Sequence, residues 1–184
     1  WDAEISENDA GLILGHITGE TSLSQLQQST GDVSNSQSLT PFDASLLLQY
    51  LSGNIEDIPI SNLSPYGGSG NLSAPPIFGE EGEIITVPIS LVEANNLFSF
   101  TLSFEYNDAN LESGSIYTDA ISEHGFMIES TVTDSGSIIV AGASHTPFEG
   151  ETLLFNLYFI PTTFEDGYTI IECTQFMLNE IASS

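Results

Sequence analysis

The residues best suited to chemistry in this chain lie in a twelve-residue segment from Asp32 to Asp43. Counted from Asp32, side chains that carry oxygen stand at positions 1, 3, 5, 9 and 12, and position 7 can supply a backbone carbonyl. A hard cation takes about six to eight oxygen ligands, and alternate positions of a tight loop direct them to one point. We therefore predict a calcium site, with a loop that closes without metal as the alternative. The predicted ligands are Asp32, Ser34, Ser36, Ser38, Thr40 and Asp43.

A shorter copy of this segment precedes Asp9. Alignment of Asp9 with Asp43 places Ser6 at position 9, Glu4 at position 7 and Asp2 at position 5, while positions 1 and 3 fall before residue 1. We expect Asp2, Glu4, Ser6 and Asp9 to form an incomplete calcium site. Either this loop is broken, or its missing ligands come from elsewhere, such as the C-terminal tail of a neighbouring subunit.

Each segment leads into an apolar pattern with helical spacing. Residues 9–19 and residues 43–53 form an internal repeat, and each copy ends in a glycine suited to a helix C-cap. A helix that begins at each loop would hold the predicted ligands at its N-terminus. We therefore predict an N-terminal helical module over residues 1–56.

A segment rich in proline, glycine and serine follows, over residues 57–80. This composition favours a linker without regular structure. The segment also contains two Asn-x-Ser sequons, at Asn62 and Asn71, which are candidate glycosylation sites in a secreted protein.

The remaining residues, 81–184, change to the two-residue period of β-strands. Apolar and polar side chains alternate over residues 85–91, 98–106 and 153–159, with Gly- and Asp-containing turns between the strand-like stretches. These patterns predict an antiparallel β-sandwich. The expected fold class is therefore α + β in separate domains.

The charge balance excludes several classes of function. The 184 residues include 26 Asp and Glu but no Lys or Arg, which gives a formal net charge of −26. Nucleic-acid binding needs cationic side chains, as do phosphate-binding loops and Schiff-base catalysis. Bound cations are one way to relieve the repulsion between so many carboxylates. The single cysteine, Cys173, is predicted to be a buried apolar residue, and no apolar run is long enough to span a membrane.

A serine hydrolase is the enzymatic alternative, with Ser144 or Ser130 acting beside His124 or His145. No nucleophile-elbow motif surrounds either serine. Neighbouring residues of a strand, such as Ser144 and His145, point to opposite faces. We therefore expect a protein without catalytic activity.

The N-terminal repeat resembles dockerins, which are paired calcium-loop-and-helix modules of bacterial and archaeal surface proteins. The resemblance covers roughly residues 2–55 and depends on the doubled pattern that begins Asp-Ala-x-Leu and ends in Gly. It implies calcium as the cofactor and loop positions 10 and 11 as the residues that read the partner. In this chain those positions are Glu7, Asn8, Pro41 and Phe42.

The C-terminal region looks like a cohesin, the β-sandwich partner of dockerins, and this resemblance implies a sandwich of jelly-roll type. The stretches that carry this resemblance are residues 82–89, 97–106 and 136–144. It spans about residues 77–180 and is shared in part with carbohydrate-binding sandwiches.

Together these features favour a non-enzymatic extracellular structural protein. A chain with both modules could polymerise head to tail, with the dockerin-like face of one copy on the sandwich of the next. The expected assembly is a calcium-stabilised surface fibre or sheath. The alternative is a tethering or carbohydrate-binding module cut from a larger cell-surface enzyme or scaffold, with a separate cohesin or dockerin as partner.

Overall fold

A computed structural model describes residues 4–59, 67–133, 135–162, 168–179 and 181–182. Helices come first in the chain, and strands make up most of the remainder. The helices are α1 (Glu7–Thr18), α2 (Gln25–Gly31), α3 (Pro41–Leu51) and the short α4 (Asp119–Ser122). The strands are β1 (Ser69–Ser73), β2 (Ile85–Tyr106), β3 (Leu111–Tyr117), β4 (Met127–Val132), β5 (Ser137–Pro161), β6 (Ile171–Leu178) and β7 (Ile181–Ala182).

The internal repeat in the sequence is also a repeat in structure. Helices α1 and α3 both begin with a capping box, which pairs Ser6 with Asp9 and Thr40 with Asp43. In each box the aspartate accepts a hydrogen bond from the backbone N–H of the N-cap residue. A capping box satisfies N–H groups that a helix N-terminus otherwise leaves without partners.

The ends of the two helices also follow the prediction. Gly19 after α1 and Gly53 after α3 have φ angles of 87° and 75°, which L-residues with a side chain rarely adopt. Between the two helices, α2 begins at Ser24, whose Oγ accepts a hydrogen bond from the N–H of Gln27. The helical region predicted from the sequence is therefore present.

The strands form one antiparallel sheet that folds over into two layers. The first half of β2 pairs with the second half of β5, and the second half of β2 pairs with the first half of β5. Register shifts between residues 89 and 99 mark the bend. The front layer contains β4, the first half of β5, the second half of β2, β6 and β7. The back layer contains β3, the second half of β5, the first half of β2 and β1.

The bend in β2 is held by the side chain of one residue from the far end of the chain. Asn179 Oδ1 accepts hydrogen bonds from the N–H groups of Phe98 and Ser99, at 2.9 and 3.0 Å. Its Nδ2 donates to the carbonyl of Asn96 at 3.0 Å. Glu93 and Asn96 both have left-handed backbone conformations, with φ angles of 56° and 55°. The amide of Asn179 therefore satisfies backbone groups that the bend removes from strand pairing.

Apolar side chains from both layers meet in the main core of the sandwich. Phe104 of the front layer lies edge-on to Phe155 of the back layer, with ring centroids 6.1 Å apart. Phe100 and Phe159 are also almost completely buried. Burial of a side chain of this size stabilises the fold by about 1.5–3 kcal/mol relative to exposure.

The helices pack against the outer face of the front layer. Phe42 and Leu46 from α3 share one apolar cluster with Ala141 and Ala143 of β5. Ser45 Oγ also donates a hydrogen bond to the carbonyl of Ser144 at 2.7 Å. The separate-domain arrangement that we expected is therefore not confirmed, because helices and sheet share a core. The jelly-roll connections are not confirmed either.

Two local expectations differ from the structure. Strand β1 lies inside the segment that we expected to be an irregular linker, and it pairs with β2 with Ser73 opposite Ser90. Cys173 is exposed rather than buried, because it stands near the start of β6, where four consecutive residues face solvent. In the described part of the chain, no helix is long and apolar enough to cross a membrane.

Candidate functional site

The predicted calcium loop folds around the carboxylate of Asp32. Asp32 Oδ1 accepts hydrogen bonds from the N–H of Ser36 at 2.9 Å and from Ser34 Oγ at 3.2 Å. Its Oδ2 accepts one from the N–H of Gln37 at 2.9 Å. Asn35 and Gln37 have φ angles of 58° and 71°, so the chain turns tightly without the glycines that ease such turns.

The second half of the loop is tied to Asp43, which is completely buried. Asp43 Oδ1 accepts a hydrogen bond from the N–H of Ser34 at 2.9 Å. Its Oδ2 accepts from the N–H and the Oγ1 of Thr40, at 2.8 and 3.2 Å. Ser36 Oγ donates to the carbonyl of Ser38 at 2.9 Å. Asp43 therefore connects the beginning of the loop with the first turn of α3.

The oxygens of this loop belong to the chemical class that a hard cation takes as ligands. In the structure they lie 2.9–3.2 Å apart because hydrogen bonds join them in separate pairs, Ser34 with Asp32, Ser36 with Ser38 and Thr40 with Asp43. Among the described residues, no group of three His, Cys, Asp or Glu side chains is placed to hold a metal. A cation here would thus depend on two carboxylates, hydroxyls and one carbonyl. The same oxygens accept hydrogen bonds within the loop, and calcium binding stays a prediction.

The shorter first copy shows only the capping part of this arrangement. Asp9 is 4% exposed, and its Oδ2 accepts hydrogen bonds from the N–H and Oγ of Ser6 at 2.9 and 3.2 Å. Glu4 is exposed to solvent, and Asp2 lies outside the described residues. Ser6 and Asp9 therefore have a structural role here, and the incomplete calcium site stays a prediction.

The four residues predicted to read a partner fall into two groups. Glu7 and Asn8 are exposed at the start of α1. Pro41 and Phe42 are buried, and Phe42 packs in the cluster between helices and sheet. The second pair therefore makes its contacts within the same chain.

Of the two predicted glycosylation sites, the described part of the chain includes Asn71. Its side chain is exposed in β1, and Nδ2 donates a hydrogen bond to Glu93 Oε2 at 3.0 Å. Asn62 lies outside the described residues. Glycan attachment at either asparagine stays a prediction.

The interface between helices and front layer contains polar groups that the sequence analysis did not single out. Gln49 of α3 donates a hydrogen bond to Ser45 Oγ at 3.1 Å, and both residues are buried. Thr101 and Thr131 carry buried hydroxyls without a hydrogen-bond partner in the described structure. The Ser and Thr residues that alternate with apolar ones in β2 predict a solvent-facing side. In the structure, strand pairing places these residues of β2 beside Ala141 and Ala143 of β5. Because the helices cover the two alanines, they cover this side of β2 as well.

A crevice of about 560 Å³ runs between α1 and β4. Glu7, Glu20 and Glu129 are the carboxylates that line it. Burial raises the pKa of Glu129 above its ordinary value, and the neighbouring Glu20 raises it further. Carboxylates thus meet at an interface of a chain that has no lysine or arginine to neutralise them.

An apolar groove of about 550 Å³ lies between residues 74–79 and 168–171. Phe78 is 93% exposed beside it, and Tyr168 and Ile170 are about two-thirds exposed, at 68% and 67%. Exposed apolar patches on soluble proteins often mark protein contacts.

Two residues of the enzymatic alternative, Ser144 and His124, have other contacts. Ser144 is fully buried, and its Oγ accepts a hydrogen bond from the N–H of Thr146 at 3.2 Å. The ring of His124 lies edge-on to Phe148, with centroids 4.9 Å apart. These contacts give both residues structural roles.

Comparison with known proteins identifies the fold of the sandwich. No protein-family model matches the sequence, and no curated protein matches it. A solved type I cohesin–dockerin complex from Clostridium thermocellum, Coh-OlpA–Doc918, matches with a TM-score of 0.50 and 15% identity, over 61% of this chain and 88% of that chain. The CaDoc0917–CaCohA2 complex matches with a TM-score of 0.50 and 14% identity, over 63% and 92%.

A cohesin from the archaeon Archaeoglobus fulgidus also matches, with a TM-score of 0.46 and 22% identity, over 52% of this chain and 67% of that chain. Identities this low reveal shared fold and nothing finer. The dockerin character of the helical pair stays a resemblance in sequence. The folded sheet of this chain is a cohesin-like β-sandwich.

Proposed function

We propose that this protein is a non-enzymatic extracellular structural protein whose copies assemble through the helical layer into a fibre or sheath. In the assembly, helices α1–α3 of one copy lie on the front layer of the next copy. The observation that carries the proposal is the contact already made within one chain, where the helical repeat covers the outer face of a cohesin-like sandwich.

The composition of this contact suits an interface that opens and closes. Small side chains meet at its centre, since Ala44 of α3 packs in one cluster with Ala141 and Ala143 of the sheet. Polar groups lie beside them, including Ser45 and the unpartnered hydroxyl of Thr101. Interfaces between domains are more polar than the interiors of domains. A contact of this kind can form equally well with the helices of a second copy.

An exchange of helices leads directly to a polymer. Identical elements make identical contacts in the closed and exchanged forms, so exchange costs little free energy. If each copy receives helices from one neighbour and gives its own to another, the contact is heterologous and the assembly stays open-ended. The expected assembly is therefore a fibre or a sheath.

Calcium would act at the Asp32–Asp43 loop. Asp43 links this loop to the first turn of α3, the helix that places Phe42 against the sheet. A bound cation would order the loop and lower the repulsion between copies that each carry a net charge of −26. The absence of Lys and Arg also leaves trypsin-like proteases no cleavage site, which suits a durable extracellular material.

Disulfide trapping tests the exchange. A Cβ added at Gly11 would lie 3.8 Å from Met127 Sδ, so Gly11→Cys with Met127→Cys, in a Cys173→Ser background, places one thiol on each side of the interface. Oxidation at high protein concentration with calcium should give a ladder of cross-linked multimers on a non-reducing gel, and electron micrographs should show filaments. The variant with Gly11→Cys alone is the matched control. Cross-linked monomer under all conditions would rule out assembly by exchange.

A further inference from the structure

Strand β4 presents a carboxylate to the helices. Glu129 pairs with Ala141 across the antiparallel sheet, and paired residues project their side chains on the same face. Ala141 is fully buried in the cluster under the helices. Met127, two residues before Glu129, packs against the same cluster. The register alone therefore places the carboxyl group of Glu129 at the interface between helices and front layer.

A second carboxylate meets Glu129 from the helical side. Glu20 follows Gly19, whose left-handed conformation ends α1; it is exposed to solvent, and it lines the same crevice as Glu129, close enough for the two carboxyl groups to share a hydrogen bond when one is protonated. Glu7 also lines the crevice, but it lies at the opposite end of α1, roughly 18 Å away along a twelve-residue helix.

The other residues around the pair add no titratable group. Asn8, Gly11, Leu12, Gly15, Thr21 and Met127 complete the described lining of the crevice. The histidine of α1, His16, lines a different crevice with Thr101 of β2, but its Nδ1 also lies 3.4 Å from the carbonyl of Thr21, the residue after Glu20.

A hydrogen bond between two carboxyl groups needs one proton. Without that proton, two neighbouring carboxylates repel each other. No lysine or arginine exists in the chain to neutralise them. Burial and the proximity of Glu20 raise the pKa of Glu129 from its ordinary value of 4.5, so the proton is held more tightly in the folded protein than in the unfolded chain.

We propose that Glu20 and Glu129 form a proton-operated latch between the helical layer and the front layer of the sheet. The shared proton closes the latch in acid, and its loss as the pH rises weakens the contact. The stabilisation is fully present below the unfolded pKa and disappears as pH rises through the higher folded value. This inference rests on the proposed function in one respect: when the contact between Glu20 and Glu129 opens, the helices become free for exchange between copies.

Glu129→Gln tests the latch because an amide keeps the hydrogen bond and cannot ionise. At pH 7 this variant should melt at a higher temperature than the unmodified protein, and the difference should shrink as the pH falls toward 4. Glu20→Gln should give a similar gain, and the double variant should add little, since both changes remove one repulsion. Glu105→Gln is the matched control, because Glu105 is an exposed carboxylate of β2. These melting measurements use dilute monomer with EDTA, and a parallel set with calcium in place of EDTA tests whether the pair binds a cation.

Two measurements distinguish the latch from a pair of carboxylates that merely lie close together. Carbon-detected NMR of the unmodified protein should show the Glu129 carboxyl titrating above 4.5, and hydrogen exchange of α1 should accelerate relative to the sandwich core as the group ionises. An ordinary Glu129 titration, or equal melting shifts for Glu129→Gln and Glu105→Gln, would overturn the latch. The latch would also be overturned if calcium raised the melting temperature of every variant except Glu129→Gln, because the pair would then be a cation site. A monomer that shows these shifts but never exchanges helices keeps the latch and refutes only the proposed assembly.

Discussion

The internal repeat offers a matched pair of substitutions, Asp43→Ala and Asp9→Ala. Both remove the aspartate of a capping box, which costs about 1 kcal/mol in the free energy of unfolding. Asp43 also accepts a hydrogen bond from the N–H of Ser34, a residue that is 5% exposed, and this bond ties the start of the loop to α3. The loss of a hydrogen bond to a charged group costs about 1.5–3 kcal/mol. Asp43→Ala should therefore cost about 2–4 kcal/mol in total, against about 1 kcal/mol for Asp9→Ala.

Thermal and urea unfolding in EDTA measure this difference without any contribution from metal. For a domain of this size, the midpoint of thermal unfolding should fall by about 4–16 °C for Asp43→Ala and by about 2–4 °C for Asp9→Ala. With calcium added, any gain in the melting temperature should survive in Asp9→Ala and disappear in Asp43→Ala. Equal losses in EDTA would refute the role of Asp43 in anchoring the loop. A calcium gain that persists in Asp43→Ala would refute the metal site.

Two further predictions concern packing on the two sides of the front layer. Thr101→Val removes a buried hydroxyl that has no partner while it keeps the shape of the side chain, so it should raise the free energy of unfolding by about 1 kcal/mol in a urea titration. A loss of stability there would show that the hydroxyl is satisfied. Gly142→Ala should cost about 1–3 kcal/mol, because the added Cβ would lie 2.6 Å from the Phe100 ring and 2.7 Å from Ile128 Cδ1. Gly67→Ala, with open space around its Cβ, is the control, and an equal effect of both changes would refute the packing argument.

The elements of this protein could be predicted from local sequence because their signals are local. A helix cap depends on residues three apart, as with Thr40 and Asp43, so a repeated sequence repeats the cap as well. Strand alternation likewise predicted β2 and the second half of β5. The oxygen-rich loop was also visible, since Asp32 binds N–H groups only four and five residues away.

The local signals did not locate every strand or every buried residue. Strand β1 forms only because the edge of β2 offers it hydrogen-bond partners, and no signal for a strand exists in its own five residues. Cys173 is of a residue type that is usually buried, and it stands in a strand-like stretch of sequence, but its position in β6 leaves it exposed. In both cases neighbours distant in sequence decide the outcome.

The sequence by itself determined the helical repeat, its glycine C-caps, the loop of oxygen ligands, the strand content and the unbalanced charge of −26. Only the tertiary structure decided that the helices lie on the front layer, and so that Phe42 is buried and that Glu20 meets Glu129. The physical reason is that periodicity shows which face of an element is apolar but not what covers it. Glu20 and Glu129 are 109 residues apart in the chain, and only the fold brings their carboxyl groups together.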